Sequence, residues 1–219
     1  DLNALAQAFC EETFLVSIMH ANNETGVVQP VAKIAELCRK AKVDFHCDAV
    51  QSIAKLPLTL KEIGASMISL SAHKFGGPKG VGALIIDNRL SLPAVMVGGG
   101  QERGRRSGTE NLPGIVGFGA AIELVANGLD HEYNRLLALR NQLEDKLSNL
   151  LPELIIFGDR VQRLPNTVAM GLAGLDGETL VMNMDMAGFA ISAGSACGSG
   201  RTKASHVLSA MGYDGPTGQ

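Results

Sequence analysis

Met67-Ile-Ser-Leu-Ser-Ala-His-Lys-Phe-Gly-Gly-Pro-Lys-Gly80 is a short apolar, β-type run that ends in a lysine and a glycine-rich turn. Before it stands a second such run, Val43-Asp-Phe-His-Cys-Asp-Ala-Val50, and before that a third, Thr13-Phe-Leu-Val-Ser-Ile-Met19. A fourth, Gly82-Ala-Leu-Ile-Ile86, follows the lysine turn. Between the first two in chain order, Pro30 opens a pattern with apolar residues at Val31, Ile34, Ala35, Leu37 and Cys38, the spacing of one helix face. Strands alternating with helices predict an α/β fold with a central, mostly parallel sheet.

Working outward, residues 1–10 carry Leu2, Leu5, Ala6 and Phe9 at helical spacing. Downstream, two helices are predicted over residues 112–126 and 131–150, the second with Leu136, Leu139, Leu143 and Leu147 along one face. Asn127-Gly-Leu-Asp130 interrupts the pattern and predicts a boundary there. Residues 1–127 are then part of a large domain, and residues 128–219 part of a smaller C-terminal α+β domain. In the latter, residues 154–157, 166–170 and 190–192 read as short strands, with two further helices. The chain opens inside a helical pattern without Met and closes on Asp214-Gly-Pro-Thr-Gly-Gln219, so it is expected to be a piece of a longer protein.

The bulk numbers exclude several classes. A chain that is 46% hydrophobic and 19% charged can bury a core. Its net charge of −3 gives no reason to expect a nucleic-acid partner, and Arg103, Arg105 and Arg106 sit beside Glu102 and Glu110 in a loop too short for a polyanion surface. Cys10, Cys38, Cys47 and Cys197 form no C-x-x-C pair, so neither a metal site nor a disulfide framework is suggested. Cys10 and Cys38 fall at apolar positions of helical patterns and are expected in the core, as is Cys47. No uninterrupted apolar stretch reaches the roughly 18 residues of a membrane span, and no signal segment is legible. The default expectation is a reducing, cytoplasmic compartment with no membrane partner.

Five segments could carry chemistry. Lys74 follows directly on a strand, where partial desolvation favours a nucleophilic amine, and Ser71 and His73 flank it with donors suited to a phosphate. The alternative is a surface lysine before a glycine turn. By alternation His46, Asp48 and Val50 share one strand face, and Phe45, Cys47 and Ala49 the other. An acid in so apolar a strand needs a partner. A protonated pyridine nitrogen would serve, and Gln51 could donate to a phenolic oxygen on the same ring. A capped strand end or local salt bridge is the other reading of Asp48. Asn22 and Asn23, in His20-Ala-Asn-Asn-Glu-Thr-Gly26, could bind a carboxylate, although Asn favours turns anyway. The loop from Gly98 to Thr109 joins glycines to Arg, Ser and Thr donors, which suit phosphate or simply solvent. Cys197, in Ile191-Ser-Ala-Gly-Ser-Ala-Cys-Gly-Ser-Gly200, is an unhindered thiol among small residues, with Arg201 and Lys203 nearby.

Taken together, His-Ala-Asn-Asn-Glu-Thr-Gly, His-Cys-Asp-Ala-Val-Gln-Ser, Ser-Ala-His-Lys-Phe-Gly-Gly-Pro-Lys-Gly, Arg-Arg-Ser-Gly-Thr and Ser-Ala-Gly-Ser-Ala-Cys resemble, in one order, the motifs of NifS-type cysteine desulfurases. These belong to the class V aminotransferase group, with the fold type I of pyridoxal-phosphate (PLP) transferases. The resemblance implies that Lys74 holds PLP covalently and moves protons at the substrate Cα. It implies that Asp48 pairs with the pyridine nitrogen, Gln51 faces the phenolic oxygen, and Ser71 and His73 hold the phosphate. Thr109 would reach the phosphate of a partner subunit, which implies a homodimer, and Asn23 would lie beside cofactor and substrate carboxylate. Cys197 would take sulfur from L-cysteine as a persulfide, releasing alanine, for delivery to a sulfur acceptor or iron–sulfur scaffold protein. The family's upstream phosphate turn and ring-stacking His, and its downstream carboxylate-binding Arg, have no counterpart in the chain, so the chain by itself is expected to be inactive. The alternatives are a selenocysteine or cysteine-sulfinate lyase, a plain class V aminotransferase, and a non-catalytic scaffold on the same fold.

Overall fold

The computed structural model describes residues 1–57, 59–194 and 205–213. They form two compact units, residues 1–21 with 29–133 and residues 22–28 with 134–219.

The first unit is an α/β sheet. Helix α1 (Leu2–Ala8) starts where the Asp1 carboxylate accepts the amides of Asn3 and Ala4. Strand β1 (Leu15–Met19) leads to α2 (Val31–Ala41), whose Val31, Ile34, Ala35 and Cys38 form one buried stripe. The helix stops at Lys42, whose left-handed φ of 59° turns its amide back onto the carbonyls of Arg39 and Cys38. Strand β2 (Asp44–Asp48) follows, then the single turn α3 (Leu60–Ile63), held by a reciprocal Thr59–Glu62 capping box and ended at Gly64. Strands β3 (Met67–Ser71) and β4 (Gly82–Ile86) complete a sheet of order β1-β2-β3-β4. The first three are parallel and β4 is antiparallel to β3.

The two faces differ as alternation requires. Val16, Phe45, Cys47, Ile68 and Leu70 turn one way and join the buried stripe of α2 in a single core. Phe45 and Ile34 are almost fully enclosed there, and each such side chain contributes roughly 1.5–3 kcal/mol. The other face carries Ser17, His46, Asp48, Ser69 and Ser71, none of them buried.

Helix α4 (Leu112–Leu150) corrects one expectation. It runs unbroken for 39 residues through Asn127-Gly-Leu-Asp130, where two helices were predicted. A single interior Gly costs about 1 kcal/mol. Ending and restarting the helix would strip backbone donors and acceptors at two new termini, and no proline forces that. By length and composition α4 would suffice to cross a membrane, the one such helix among the described residues. Its first turns instead lie on the sheet unit: Phe118 meets Phe75 edge-on at 5.5 Å, and Gly117 lies so close to Pro78 that a Cβ there would come within 2.5 Å of the ring.

In the second unit β5 (Ile155–Ile156) pairs antiparallel with β6 (Met170–Gly171), shorter than the predicted runs. Residues 190–192, predicted as a strand, have no β pairing among the described residues. Two helices follow, α5 (Gly177–Met186) and α6 (His206–Ala210). Arg163 is buried and grips Glu144 bidentately at 2.7 and 2.8 Å, while Arg140 donates to the carbonyls of Arg163 and Leu164. Removing one member of so enclosed a pair would cost about 3–5 kcal/mol.

Candidate active site

Parallel strands send their C-terminal ends to one edge, where open α/β sheets bind ligands. Asp48 is the last residue of β2. Its Oδ1 accepts the Val50 amide at 2.9 Å, the only hydrogen bond of this carboxylate among the described residues. A half-buried acid with one oxygen unsatisfied among the described residues suits a protonated ring nitrogen. His20, at the end of β1, donates its amide to the Asp48 carbonyl at 2.8 Å. Its imidazole is buried, and burial lowers its pKa, so the ring is neutral at pH 7.

Strand β3 feeds a 3₁₀ turn, Ala72–Phe75, that carries Lys74. Ala72 is fully buried and anchors the turn, Gly76 closes it with φ 85°, and Lys74 emerges half-buried. Beside it Ser71 Oγ lies 2.7 Å from His73 Nδ1, a hydroxyl–imidazole pair of the kind that binds a phosphate. Gly77 closes back on the turn through its amide to the Ala72 carbonyl at 3.0 Å, and a Cβ at Gly77 would stand 2.8 Å from the Ala72 Cβ. Gly77→Ala is therefore expected to lower stability by about 1–3 kcal/mol and to displace the Lys74 turn. Thermal denaturation of the apo-protein, with PLP titration alongside, checks this; an unchanged midpoint would show that the turn yields without cost.

Gln51 follows the strand, and its Oε1 accepts from Lys55 Nζ at 3.3 Å. Lys55 was not singled out from the sequence, because its role shows only in three dimensions. Burial lowers its ammonium pKa, and the positive charge of Lys74 lowers it further, so the two amines are within electrostatic reach. Asp48, Gln51, Ser71, His73 and Lys74 thus all belong to the C-terminal edge of one sheet.

The remaining predicted residues are Asn23, Thr109 and Cys197. Asn23 is exposed, in the second unit, within a turn built by Asn22, whose Oδ1 accepts the amides of Glu24 and Thr25. The Glu24 carboxylate in turn accepts from Ser205, which also caps α6 through the Leu208 amide at 3.1 Å. Thr109 is exposed after the glycine-rich loop, in which Ser107 is buried. Cys197 lies outside the described residues.

The other cysteines divide by burial. Cys38 and Cys47 are in the core, as expected, but Cys10 is exposed: α1 ends at Ala8, and the extended Phe9 carries Cys10 out of the helical pattern. Burial pushes the Cys47 thiol up to about 12, with the Asp48 charge adding to it, so it stays protonated. Native-state iodoacetamide is expected to modify Cys10 while sparing Cys38 and Cys47, as peptide mass mapping would read. Rapid alkylation of Cys47 would remove the case against it as a nucleophile.

The donor set on the sheet edge fits PLP: one amine for the aldehyde, one open carboxylate for the ring nitrogen, and a hydroxyl–imidazole pair for the phosphate. Known proteins agree in kind. Residues 1–212 match the family Aminotransferase class-V. A cysteine desulfurase of Sinorhizobium fredii is 48% identical over 212 residues, covering 97% of this chain and 55% of that protein. The cysteine desulfurase IscS of Clostridium botulinum is 45% identical over 210 residues, 95% of this chain and 53% of that one. Among solved structures, a NifS-like protein from Rickettsia africae superposes with a TM-score of 0.88 at 34% identity, covering 99% of this chain and 57% of its own. A second NifS-like protein gives 0.89 at 38% identity, covering 100% and 57%. The chain spans about half the length of the curated relatives it matches.

Proposed function

The chain belongs to the class-V aminotransferase family, and from that premise we propose that the complete protein is a PLP-dependent cysteine desulfurase. The observation that carries this reading is the half-buried Lys74 on the turn after β3, on the same sheet edge as the open carboxylate of Asp48. The names and identities of the relatives support it.

When bound, PLP supplies an aldehyde for amines and a sink for electrons released at a substrate Cα. The chain supplies the rest. Lys74 holds the aldehyde carbon and carries the proton to and from Cα. Asp48 keeps a proton on the ring nitrogen, and Gln51, its carbonyl engaged by Lys55, offers its amide N–H to the phenolic oxygen. Ser71 and His73 hold the phosphate, and Thr109 serves the phosphate site of the second copy in a homodimer. Asn23 binds beside the substrate carboxylate. The Cys197 thiolate attacks the substrate sulfur, the C–S bond breaks, and the two carbon-bound electrons leave with the fragment that becomes alanine. The sulfur stays on Cys197 as a persulfide, for a thiol acceptor or an iron–sulfur scaffold protein in the cytoplasm. Residues 1–219 alone lack about half of the relatives' length, and in this reading they do not turn over by themselves.

The test is product identity. The complete protein, given PLP, L-cysteine and a reducing thiol, is expected to release alanine and sulfide in equal amounts. Loss of cysteine that requires an added 2-oxo acid, with 3-mercaptopyruvate and the amino acid of that 2-oxo acid as products, would instead mark an aminotransferase.

A further inference from the structure

The sheet face turned away from the α2 core carries a hydrogen-bonded row across three strands. Ser17 Oγ on β1 lies 2.8 Å from His46 Nδ1 on β2, and His46 Nε2 lies 3.1 Å from Ser69 Oγ on β3. Both ring nitrogens are thereby engaged, each by a hydroxyl that can donate or accept. A half-exposed strand position would be filled as well by valine or threonine, so strand propensity alone does not explain a histidine bonded on both sides.

The register shows what the row does. Asp48 is paired across the sheet with Ser69, the residue whose hydroxyl His46 holds. Parallel neighbours stand about 4.8 Å apart, so a hydroxyl directly opposite a carboxylate is within reach of it by a side-chain rotation. A hydroxyl released from His46 would find the unsatisfied oxygen of Asp48 as its best acceptor, because hydrogen bonds to charged groups are the stronger ones. Among the described residues, the Asp48 carboxylate accepts only from Val50.

We propose that His46 is a positioning residue: by holding the Ser69 hydroxyl and bracing β2 between β1 and β3, it keeps one oxygen of Asp48 available to the cofactor's ring nitrogen. This rests on the reading of Asp48 given above. His46 touches neither cofactor nor substrate in it. Its effect passes wholly through Asp48 and requires Ser69.

The experiment is PLP binding to the complete apo-protein, followed by absorbance, in a set of variants. Asp48→Ala is expected to weaken binding; if it does not, the assignment of Asp48 fails and this proposal falls with it. Given that loss, His46→Ala is expected to weaken binding about tenfold, the loss of part of one charge-assisted hydrogen bond. His46→Gln, which can still hold Ser69, is expected to stay within about twofold of the parent protein. In the Asp48→Ala background, His46→Ala is expected to add less than about twofold, since a shared path makes the two effects non-additive. Ser69→Ala added to His46→Ala is expected to restore most of the affinity. If His46→Ala does not fold, His46→Leu, which fills similar space without hydrogen bonds, carries the same expectations. An unchanged affinity in His46→Ala, or the same factor of loss with and without Asp48, would overturn the proposal while leaving Asp48 in its role.

Discussion

Lys74→Ala in the complete protein is expected to abolish both the covalent attachment of PLP and all measurable turnover of cysteine. The amine has two duties in the proposed reaction, holding the aldehyde carbon and moving the Cα proton. The loss of a proton-transfer group alone costs about 10²–10⁴-fold, and loss of the attachment point adds to that. The fold itself should tolerate the change, because Lys74 is half-exposed and the turn is anchored by Ala72 and closed by Gly76 and Gly77. Stability is expected to stay within about 0.5 kcal/mol, so lost activity would not be lost structure. Absorbance near the visible edge, before and after borohydride reduction, reads the covalent link. A reducible adduct on the Lys74→Ala chain would move the attachment elsewhere.

Cys197→Ser is expected to separate binding from sulfur transfer. The variant should take up PLP and bind cysteine as the parent does, yet release neither alanine nor sulfide, a fall of at least about 10³-fold. A serine hydroxyl stays protonated at neutral pH and is a far weaker nucleophile than a thiolate. Cys38 and Cys47 cannot stand in: both are enclosed in the core, and burial keeps both protonated. Wild-type sulfide release from Cys197→Ser, measured with alanine, would point to a lyase route that needs no thiol on the enzyme.

Much of the sheet was legible in the sequence, and the physical reason is plain in β3 and β4. Residues Met67–Ser71 and Gly82–Ile86 are apolar runs bounded by turn residues, and both strands fall where the pattern puts them. The alternation in β2 separated Cys47 from Asp48 correctly, because one sheet face is a core and the other is not. Helix ends were harder. The Asn-Gly pair inside α4 reads locally as a stop, but a helix already propagating on both sides passes through it. Cys10 has an apolar spacing that only the actual end of α1 at Ala8 cancels. The single turn α3 is too short for periodicity to register, whereas β5 falls inside the predicted run 154–157 and β6 begins at the end of the run 166–170. At the site, Lys74, Ser71, His73 and Asp48 could be named because each stands at the end of a recognisable strand. The Ser17–His46–Ser69 row could not, because its partners come from the chain folding back between strands, and Lys55 meets Gln51 within a run of turns that no helix or strand periodicity marks.

The most direct measurement is a single turnover of the complete, PLP-loaded protein with L-cysteine, reduced with borohydride in one portion and alkylated in another, followed by peptide mass mapping. The expected result is a PLP adduct on the peptide containing Lys74 in the first portion. In the second, one extra sulfur is expected on the peptide containing Cys197, with one alanine released per site. An adduct on any other lysine, or alanine released with no sulfur gained at Cys197, would contradict the assignment of these two residues.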